Sequence, residues 1–512
     1  MADGAGRAVL EDGRAHRHPG GAGPRGGWLL AVHRDTGRAD QAGRAGGPAG
    51  RRRAAVHRLG NGHAARAGAA QHRQRPRPAD LQPLHGLVGV VAGHRPAGDA
   101  QPRALPPPHG RLERGARGRH GMNGVIVVGA GPAGLTAALS LARAGIPVTV
   151  LEGENELSRQ PRACTFHPAT LDLLDDLGVA SRLVAEGRVV DRVQWRDRSG
   201  IVLAEMGMNR LDGLTKHPFR IHADQASLTR LLLSTLSVYP DVDVRFGTHV
   251  DGVAEGGTGI RVRVGHTWTR ARYMIAADGA HSTVRSSLGL PFPRSTYPTQ
   301  ALRVFSDSPL DRLLPSLAPL TYVRDVQQSC TLLGLPDHWR IIFKIPCDTH
   351  EPLSPANLTL LIRRALPGAS EPIRVTGADR FALSRGVLTS YRCGRVLFVG
   401  DAAHLTSTVG GLNMNAGIHD AVELGQVIAA VIGGFAQPAA LEAWAWRRRS
   451  VLLQRVVPRG QTRPAGVREH DSARLAAAMA GLRAIAGDPE ATRAYLAQAS
   501  LLDTVPNSAG RT

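Results

Sequence analysis

The stretch that decides the fold is "VIVVGAGPAGL", residues 125–135. Its four consecutive apolar residues predict a strand that is buried on both faces. The pattern Gly129-x-Gly131-x-x-Gly134 follows at once and opens an apolar helix. In this arrangement Gly129 permits the tight turn, Gly131 lets the backbone approach a pyrophosphate, and Gly134 lets the helix pack closely on the strand. The helix N-terminus would then face the phosphates, so the stretch predicts a dinucleotide-binding βαβ unit.

A second strand and its terminal acid complete the unit. "PVTVLE", residues 147–152, is a short apolar run that ends in Glu152, 18 residues beyond Gly134. A carboxylate at that place accepts hydrogen bonds from ribose hydroxyls. It would also repel a 2′-phosphate, so the sequence predicts bound FAD or NAD rather than NADP.

Two further motifs place acids at the ends of strands. "YMIAADGAHSTVR", residues 273–285, ends a short apolar strand in Asp278-Gly279, with Arg285 in the helix that follows. "RVLFVGDAAH", residues 395–404, ends another strand in Gly400-Asp401. Open α/β sheets bind ligands at the carboxyl ends of their parallel strands. Both motifs are therefore predicted to face the bound nucleotide.

The second of these motifs favours a flavin. Asp401 is placed to hold a ribityl hydroxyl, and a glycine turn at Gly410 and Gly411 precedes a long helix. Backbone amides of that turn could face the edge of an isoalloxazine ring. The sequence thus predicts FAD as the tightly bound cofactor.

From Met122 to about Arg449 the chain resembles the single-component flavoprotein aromatic hydroxylases, the p-hydroxybenzoate hydroxylase-like FAD-dependent monooxygenases. The three motifs occur in that family's order and at its spacing. "RACTFHPATLDLLDDLGV", residues 162–179, resembles the family's segment after the second strand and puts Arg162 along the cofactor. "HADQASLTRLLL", residues 222–233, puts Gln225 where the family has a flavin-contacting Gln or Arg.

The resemblance implies an α/β fold. A Rossmann-like FAD-binding domain with a mixed or parallel sheet would carry an inserted antiparallel β-sheet substrate domain and C-terminal helices. The predicted bounds are 122–186, 219–290 and 386–454 for the FAD-binding domain, 187–218 and 291–385 for the substrate domain, and 455–512 for the helical tail. The tail is expected to pack against the FAD-binding domain or against a homodimer partner.

The resemblance also implies an activity. NAD(P)H would reduce FAD, and O2 would form a C4a-hydroperoxyflavin that hydroxylates a phenolic or other electron-rich aromatic substrate. The chain has no second fingerprint, so NAD(P)H is expected to bind transiently. No catalytic residue is assigned. Five side chains that could act as acids or bases are interpreted as structural: His217, His222, Tyr297, Tyr322 and, in the Gly-Asp motif, His404.

The chain departs from the family pattern in the glycine turn. Thr408 stands where the family commonly has Pro, and Leu412-Asn413 stands for the usual Gln-Gly. Asn tolerates a positive φ better than other non-glycine residues, so Asn413 is expected to take that conformation, to preserve the turn and to be one of the cofactor-binding residues. Thr408 would loosen a stiff turn beside the flavin, which leaves a flavin-dependent oxidase or reductase open as an alternative.

A halogenase of the same superfamily is a second alternative. It would carry a W-x-W-x-I-P segment and an essential lysine near it. The W-x-W of this chain, residues 444–446, is followed by three arginines, and the chain has two lysines, Lys216 and Lys344. These features count against halogenation.

The first 121 residues have a different composition from the rest. They contain 21 Arg, no Lys and 8 acidic residues, a charge of +13 out of the total of +21. Without an apolar period they are expected to be disordered. A start site assigned too far upstream, a plain tail and an Arg-rich nucleic-acid-binding arm stay open, and the lack of interleaved aromatic residues argues against the arm.

The cysteine pattern points to no metal and no disulfide framework. The four cysteines, Cys164, Cys330, Cys347 and Cys393, are scattered without a C-x-x-C pair. No secretory signal and no apolar run long enough to span a bilayer is found. The sequence therefore predicts a cytoplasmic protein with free thiols.

Overall fold

The structure is a computed structural model, and it describes residues 124–349, 353–462 and 471–505. The three interpretations of residues 1–121 fall outside these ranges. The described strands, in chain order, are β1 Val125–Val128, β2 Val148–Leu151, β3 Thr165–Phe166, β4 Arg188–Val190, β5 Arg192–Arg196, β6 Val202–Gly207, β7 Arg220–His222, β8 Val242–Arg245, β9 Gly252–Gly256, β10 Gly259–Val264, β11 Thr267–Ala271, β12 Tyr273–Ala276, β13 Arg294–Ser306, β14 Leu320–Val323, β15 Cys330–Gly334, β16 Trp339–Pro346, β17 Gly377–Val387, β18 Arg392–Cys393, β19 Val396–Phe398 and β20 His404–Leu405.

Helices alternate with the strands in the first half of the described chain and dominate its end. They are α1 Pro132–Arg143, α2 Pro168–Asp176, α3 Ala180–Glu186, α4 Gln225–Leu236, α5 Thr283–Ser287, α6 Leu310–Leu313, α7 Pro355–Ala365, α8 Leu412–Ile432, α9 Ala439–Val451, α10 Val457–Thr462, α11 Ser472–Gly487 and α12 Pro489–Ala499. Short 3₁₀ turns cover Met208–Leu211, Gly400–Ala402, Val409–Gly411 and Leu502–Thr504, and a π-helical turn covers Leu452–Val456.

A six-stranded sheet contains all three motifs predicted from the sequence. Its order is β18-β19-β12-β1-β2-β8, and every pair is parallel except β18–β19. All four residues of β1 are buried, because α1, α4 and α8 contribute to the same apolar core. The sequence prediction of a Rossmann-like α/β fold with a mixed or parallel sheet is confirmed.

A second, eight-stranded sheet has the order β20-β17-β13-β16-β15-β14-β5-β6. Its pairs are antiparallel, as predicted, except β5–β14, which is parallel. The chain leaves the sheet after β6, builds part of the six-stranded sheet, and returns at β13. Such a long excursion lets β14 approach β5 in either direction, whereas a tight turn would force them antiparallel.

The C-terminal helices are confirmed, but their packing differs from the expectation. Side chains of α11 and α12, among them Leu482 and Leu496, share an apolar cluster with Trp195 of β5 and Met206 of β6. These two helices therefore cover the eight-stranded sheet. The turn after them, which contains Leu501, joins the core of the six-stranded sheet, as do Val456 and Val457 at the start of the tail.

Two smaller antiparallel sheets complete the architecture. One consists of β9, β10 and β11, and the other has the order β3-β7-β4. Over the described ranges, no helix has the length and apolar character needed to cross a bilayer.

Candidate cofactor site

The turn after β1 has the geometry that its glycines predict. Gly129 has a φ of +103°, and a Cβ built on it would lie 2.4 Å from the carbonyl oxygen of Ala277. A Cβ on Gly134 would lie 2.0 Å from the carbonyl oxygen of Gly129. Both contacts are with backbone, which cannot move aside, so strand, turn and helix can approach this closely only with glycine at both places.

Gly131 differs from these two glycines, because neither its backbone angle nor any neighbouring atom in the described part of the chain requires glycine there. Its φ is −73°, which any residue can adopt, and among the described residues no atom lies within 4 Å of a Cβ built there. It caps the N-terminus of α1, with Pro132 as the first helical residue. The space that its missing side chain leaves lies at the positive end of a helix, which suits a pyrophosphate.

Glu152 lies directly beside this turn. Its Oε2 accepts a hydrogen bond from the backbone N–H of Ala130 at 2.6 Å, and Oε1 accepts one from Glu154 at 3.0 Å. Each carboxylate oxygen can accept a second bond, so the carboxylate can still hold a ribose hydroxyl. The structure thus brings Glu152 and the glycine turn together at the carboxyl ends of β1 and β2.

The Asp-Gly motif ends β12, the neighbour of β1 on the other side. Oδ2 of Asp278 accepts a hydrogen bond from the N–H of Val284 at 3.0 Å, and burial raises the pKa of this carboxyl. Gly279 has a φ of +81°, which explains the glycine. Arg285 donates to the carbonyls of Ala280 and Ala402, both at 2.9 Å, so its guanidinium ties the Asp-Gly motif to the Gly-Asp motif.

The Gly-Asp motif ends β19 and leads into the second glycine turn. Gly410 and Gly411 both have positive φ, +78° and +65°. A Cβ on Gly411 would lie 3.2 Å from the Cβ of Thr165 in β3, so this turn runs against the small sheet. Burial raises the pKa of Asp401, although His404, Arg162 and Asn413 act in the opposite direction. This half-buried carboxylate, bonded to Asn413 in the helix turn that follows the two left-handed glycines, is a suitable acceptor for a hydroxyl-bearing ligand.

Arg162 and Gln225 were assigned from the resemblance alone. The side chain of Arg162 is exposed, and its charge is close enough to Asp401 to lower the pKa of that carboxyl. Gln225 is the first residue of α4 and is half-buried. Both therefore lie on elements that border the motifs, and their direct contact with a cofactor stays a prediction.

The expectation of a positive φ at Asn413 is wrong. It lies in the first turn of α8, and the positive φ angles belong to Gly410 and Gly411 before it. The turn needed no third left-handed residue, because these two glycines already reverse the chain. Thr408 has φ −70° and ψ −9°, so threonine adopts here the φ that proline would impose.

Sequence reasoning missed the residue that holds the glycine turn in place. Asn415 donates from Nδ2 to the carbonyl oxygens of Gly411, at 2.7 Å, and Thr165, at 2.9 Å. Its Oδ1 accepts a hydrogen bond from the N–H of His167 at 3.1 Å. Its place four residues after Gly411 gave no such signal, because its partners at β3 and directly after it lie about 250 residues away.

The side chains considered for acid–base catalysis have structural contacts. His217 pairs with Asp172 at 2.8 Å, and Tyr322 stacks on Trp195 with 5.5 Å between the ring centroids. His222 bonds through Nδ1 to the carbonyl of Gly334 at 3.0 Å, and burial lowers its pKa to about 3. Its neutral ring is fully buried in β7, opposite Thr165 of β3.

Two concave regions are open on the described surface. The first, of about 370 Å³, lies at the far edge of the eight-stranded sheet around Arg196 and Ser316, away from the three motifs. The second, of about 310 Å³, lies between the loop after β2, the start of α4 and the eight-stranded sheet, where Arg159, Asp224 and Arg340 line it. The described residues hold no group of three or more His, Cys, Asp or Glu arranged for a metal ion.

A glycine turn at a helix N-terminus, an acid after the second strand, and two acidic motifs on adjacent parallel strands define a FAD-binding flavoprotein of the α/β class. The residues present fit FAD, because Gly131 leaves an open cradle and Asp401 supplies a half-buried acceptor that is bonded to the first turn of α8. The sequence model of the FAD binding domain family matches residues 122–458. The chain belongs to this family, and it is a FAD-dependent monooxygenase of the aromatic hydroxylase class.

Two relatives align over most of their own length. A para-nitrophenol 4-monooxygenase of Pseudomonas sp. (strain WBC-3) is 30% identical over 362 residues, which cover 69% of this chain and 89% of the relative. A 6-hydroxy-3-succinoylpyridine 3-monooxygenase of Pseudomonas putida is 31% identical over 343 residues, which cover 65% of this chain and 86% of the relative.

Solved structures agree with this assignment. A p-nitrophenol 4-monooxygenase from Pseudomonas putida superposes with a TM-score of 0.70 at 27% identity, over 75% of this chain and 98% of that one. A ternary complex of aklavinone-11 hydroxylase with FAD and aklavinone superposes with a TM-score of 0.58 at 27% identity, over 65% of this chain and 67% of that one. These relatives support the hydroxylase prediction over the oxidase and halogenase alternatives.

Proposed function

We propose that this protein uses NAD(P)H and O2 to hydroxylate a small phenol or hydroxypyridine, a single aromatic ring that already bears a hydroxyl group. The observation that carries the proposal is the pair of relatives aligned over 89% and 86% of their own length. By their names, one acts on a nitrophenol and the other on a hydroxypyridine. The existing hydroxyl group makes the ring electron-rich, which an electrophilic oxygen donor requires.

The chain's own residues would bind and orient FAD. The N-terminus of α1 and the open space at Gly131 would receive the pyrophosphate, and Glu152 would accept from the ribose hydroxyls. Asp401 would accept from a ribityl hydroxyl, and the turn at Gly410 and Gly411 would lie along the ring system. Bound FAD supplies the redox chemistry, taking a hydride from the reductant and activating O2.

The proposal also assigns a separate role to each of the two large sheets. The six-stranded sheet would carry the cofactor, and the eight-stranded sheet would cover the substrate and exclude water. The small sheet β3-β7-β4 supports this division, because Thr165 lies against Gly411 while His222, opposite it in β7, bonds to Gly334 of β15. This sheet links the predicted flavin turn directly to the sheet that would hold the substrate.

A transient nicotinamide partner and a cytoplasmic location complete the proposal. The chain carries one dinucleotide fingerprint, and FAD occupies it in this assignment, so NADH or NADPH would bind on the surface without a Rossmann unit of its own. The cytoplasm supplies both the reductant and the reducing conditions that suit the free cysteines.

The test is turnover of the purified full-length protein with a panel of ring compounds. Nitrophenols, hydroxybenzoates and hydroxypyridines are each offered with NADH or NADPH under isotopically labelled O2, and a polycyclic phenol represents the other size class. At least one monocyclic substrate is expected to accelerate NAD(P)H oxidation and to gain one labelled oxygen atom. Formation of H2O2 alone with the whole panel would favour the oxidase alternative, and turnover of the polycyclic compound alone would overturn the assigned substrate class.

A variant of the Gly-Asp motif connects this activity to the proposed site. Asp401→Ala is expected to lose most of its bound FAD, because a buried acceptor for the ribityl chain is removed. The bound flavin is measured from the visible absorption of the purified protein, independently of turnover. Full retention of FAD by this variant would contradict the role assigned to Asp401.

A further inference from the structure

A chain of hydrogen bonds, half-buried at its start and buried at its end, begins at the carboxylate of Asp401. Oδ1 of Asp401 lies 2.7 Å from Nδ2 of Asn413. Oδ1 of Asn413 lies 3.1 Å from Nδ1 of His404, and Nε2 of that ring lies 2.8 Å from Oδ2 of Asp420. Two side chains, Asn413 of α8 and His404 of β20, thus connect the predicted flavin acceptor with the middle of α8.

The chain continues to the C-terminal segment. Arg448 of α9 donates from Nε to Oδ1 of Asp420 at 2.7 Å and from Nη1 to the carbonyl of Thr504 at 2.7 Å. His404, Asp420 and Arg448 are each at most 3% exposed. Burial alone would raise the pKa of Asp420, but Arg448 and His404 outweigh it and hold the pKa below its usual range. The far end of the chain is therefore a fixed, ionised anchor.

The partners determine which atom donates at each step. An ionised carboxylate can only accept, so the amide of Asn413 donates to Asp401 and turns its own oxygen toward His404. The His404 ring then lies between the Asn413 oxygen and the Asp420 carboxylate. Tyr391 stacks on this ring with 6.0 Å between the ring centroids.

This arrangement depends on a residue in which the chain departs from the family pattern. Asn413 stands where the pattern has glycine, and glycine has no side chain to reach Asp401. The amide is directed back toward Asp401 and His404 rather than forming the left-handed turn expected from the sequence. The substitution therefore added a contact to the cofactor motif.

We propose that Asn413 is a positioning residue for FAD: together with His404 it fixes the Asp401 carboxylate, so that the second oxygen of that group is presented to the ribityl chain. The proposal rests on the cofactor role assigned to Asp401 under the proposed function. Without the amide, Asp401 would lose a fixed hydrogen-bond donor and could rotate about its side-chain torsions. The change would appear as weaker FAD binding and not as a lower stability of the fold.

The experiment compares FAD dissociation constants of the full-length wild type, Asn413→Ala and Asn413→Asp after removal and titration of the flavin. Alanine is a better helix former than asparagine, so the first turn of α8 is retained. We expect Asn413→Ala to bind FAD at least about tenfold more weakly, the size of effect that follows when a hydrogen bond to a charged group is lost. The isosteric Asn413→Asp should bind more weakly still, because a second carboxylate then faces Asp401.

The order of the two variants separates positioning from packing. If Asn413 only filled space, aspartate would replace it better than alanine does. Asn209→Ala, at an exposed asparagine in the turn Met208–Leu211, is the matched control and should bind FAD as the wild type does. The thermal midpoint of each flavin-free protein, expected to be unchanged in Asn413→Ala, shows that a loss of affinity is not a loss of fold.

Each result has one consequence. Asn413→Ala with a dissociation constant within about twofold of wild type would overturn the inference, since a tenfold change is about 1.4 kcal/mol and readily resolved. So would an Asn413→Asp variant that binds better than Asn413→Ala. A wild-type protein without FAD affinity would instead overturn the proposed function, so the two failures are distinguishable.

Discussion

Gly131 and Gly134 lie three residues apart in one turn but have different neighbours. A Cβ on Gly134 would collide with the backbone of Gly129, whereas a Cβ on Gly131 would meet no described atom within 4 Å. The fold therefore requires the second glycine of this pair but not the first, and we predict that a ligand requires the first. The sequence alone does not distinguish the roles of these two glycines, because both belong to one motif.

Alanine substitutions should separate these two requirements. We expect Gly131→Ala to leave the thermal midpoint of the flavin-free protein unchanged while weakening FAD binding, because the methyl group occupies the space of the pyrophosphate. Gly134→Ala should lower the midpoint of the flavin-free protein itself, because the helix must move off the strand. Thermal unfolding with and without FAD measures both. Equal behaviour of the two variants would contradict the distinction.

At the scale of the residue, conformations were more predictable than contacts. The glycines of the first turn and of the turn before α8 adopt the backbone geometry that the motifs predict, since a positive φ is a local property of the residue. Asn413 was misjudged because its role is set by Asp401 and His404, which reach it from another element. Asn415 was missed for the same reason.

At the scale of the element, α11 and α12 act as a cover for the eight-stranded sheet. Leu496 is completely buried in the cluster that contains Trp195, Met206 and Met208. Asp488 starts α12 by accepting hydrogen bonds from the N–H groups of Glu490 and Ala491, at 2.9 and 3.1 Å, as its position before Pro489 predicts. The helix follows from local sequence, and its partner follows from packing.

Truncation of Leu496 tests this covering role. Leu496→Ala removes a fully buried side chain and is expected to destabilise the protein by about 2–5 kcal/mol. Leu360→Ala, at a leucine of α7 that is 49% exposed, is the matched control and should change the stability by less than about 0.5 kcal/mol. Urea unfolding followed by circular dichroism measures both. A similar small effect of the two substitutions would show that α12 is not part of the cooperative fold.

At the scale of the whole molecule, two buried histidines couple folding to pH. Burial lowers the pKa of His222 and of His419 to about 3. An unfolded chain binds a proton at each histidine below its ordinary value of 6.5, whereas the folded protein does not until far lower pH. The unfolded state therefore binds more protons, and stability that is complete above pH 6.5 is lost as the pH falls toward 3.

The expected slope is up to about 1.4 kcal/mol per pH unit for each histidine. Asp420 does not contribute to this slope in the upper part of the pH window. Because its pKa is depressed in the folded protein, the stability that its carboxylate contributes is lost only below the ordinary pKa range of a carboxyl group. His419→Gln should reduce the slope of unfolding free energy between pH 6.5 and 5, and His281→Gln, at an exposed histidine, should leave it unchanged. An unaltered slope in His419→Gln would refute the coupling.

The sequence by itself determined four strands of the six-stranded sheet, its glycine turns and its cofactor class. Apolar runs, left-handed glycines and acids at strand ends are constraints that a few neighbouring residues impose on their own backbone. The family match over residues 122–458 agrees with that local information. The position of each motif on its strand could therefore be predicted before any contact was known.

Only the tertiary structure decided which distant residues meet. The parallel pairing of β5 with β14, the cover of α11 and α12 over the eight-stranded sheet, and the bonds of Asn415 to Thr165 and His167 each join elements that are far apart in the chain. Such contacts depend on how layers pack and on which polar groups must be satisfied once they are buried. No local pattern encodes them, because the partner of a buried side chain is fixed by the whole fold rather than by its neighbours in sequence.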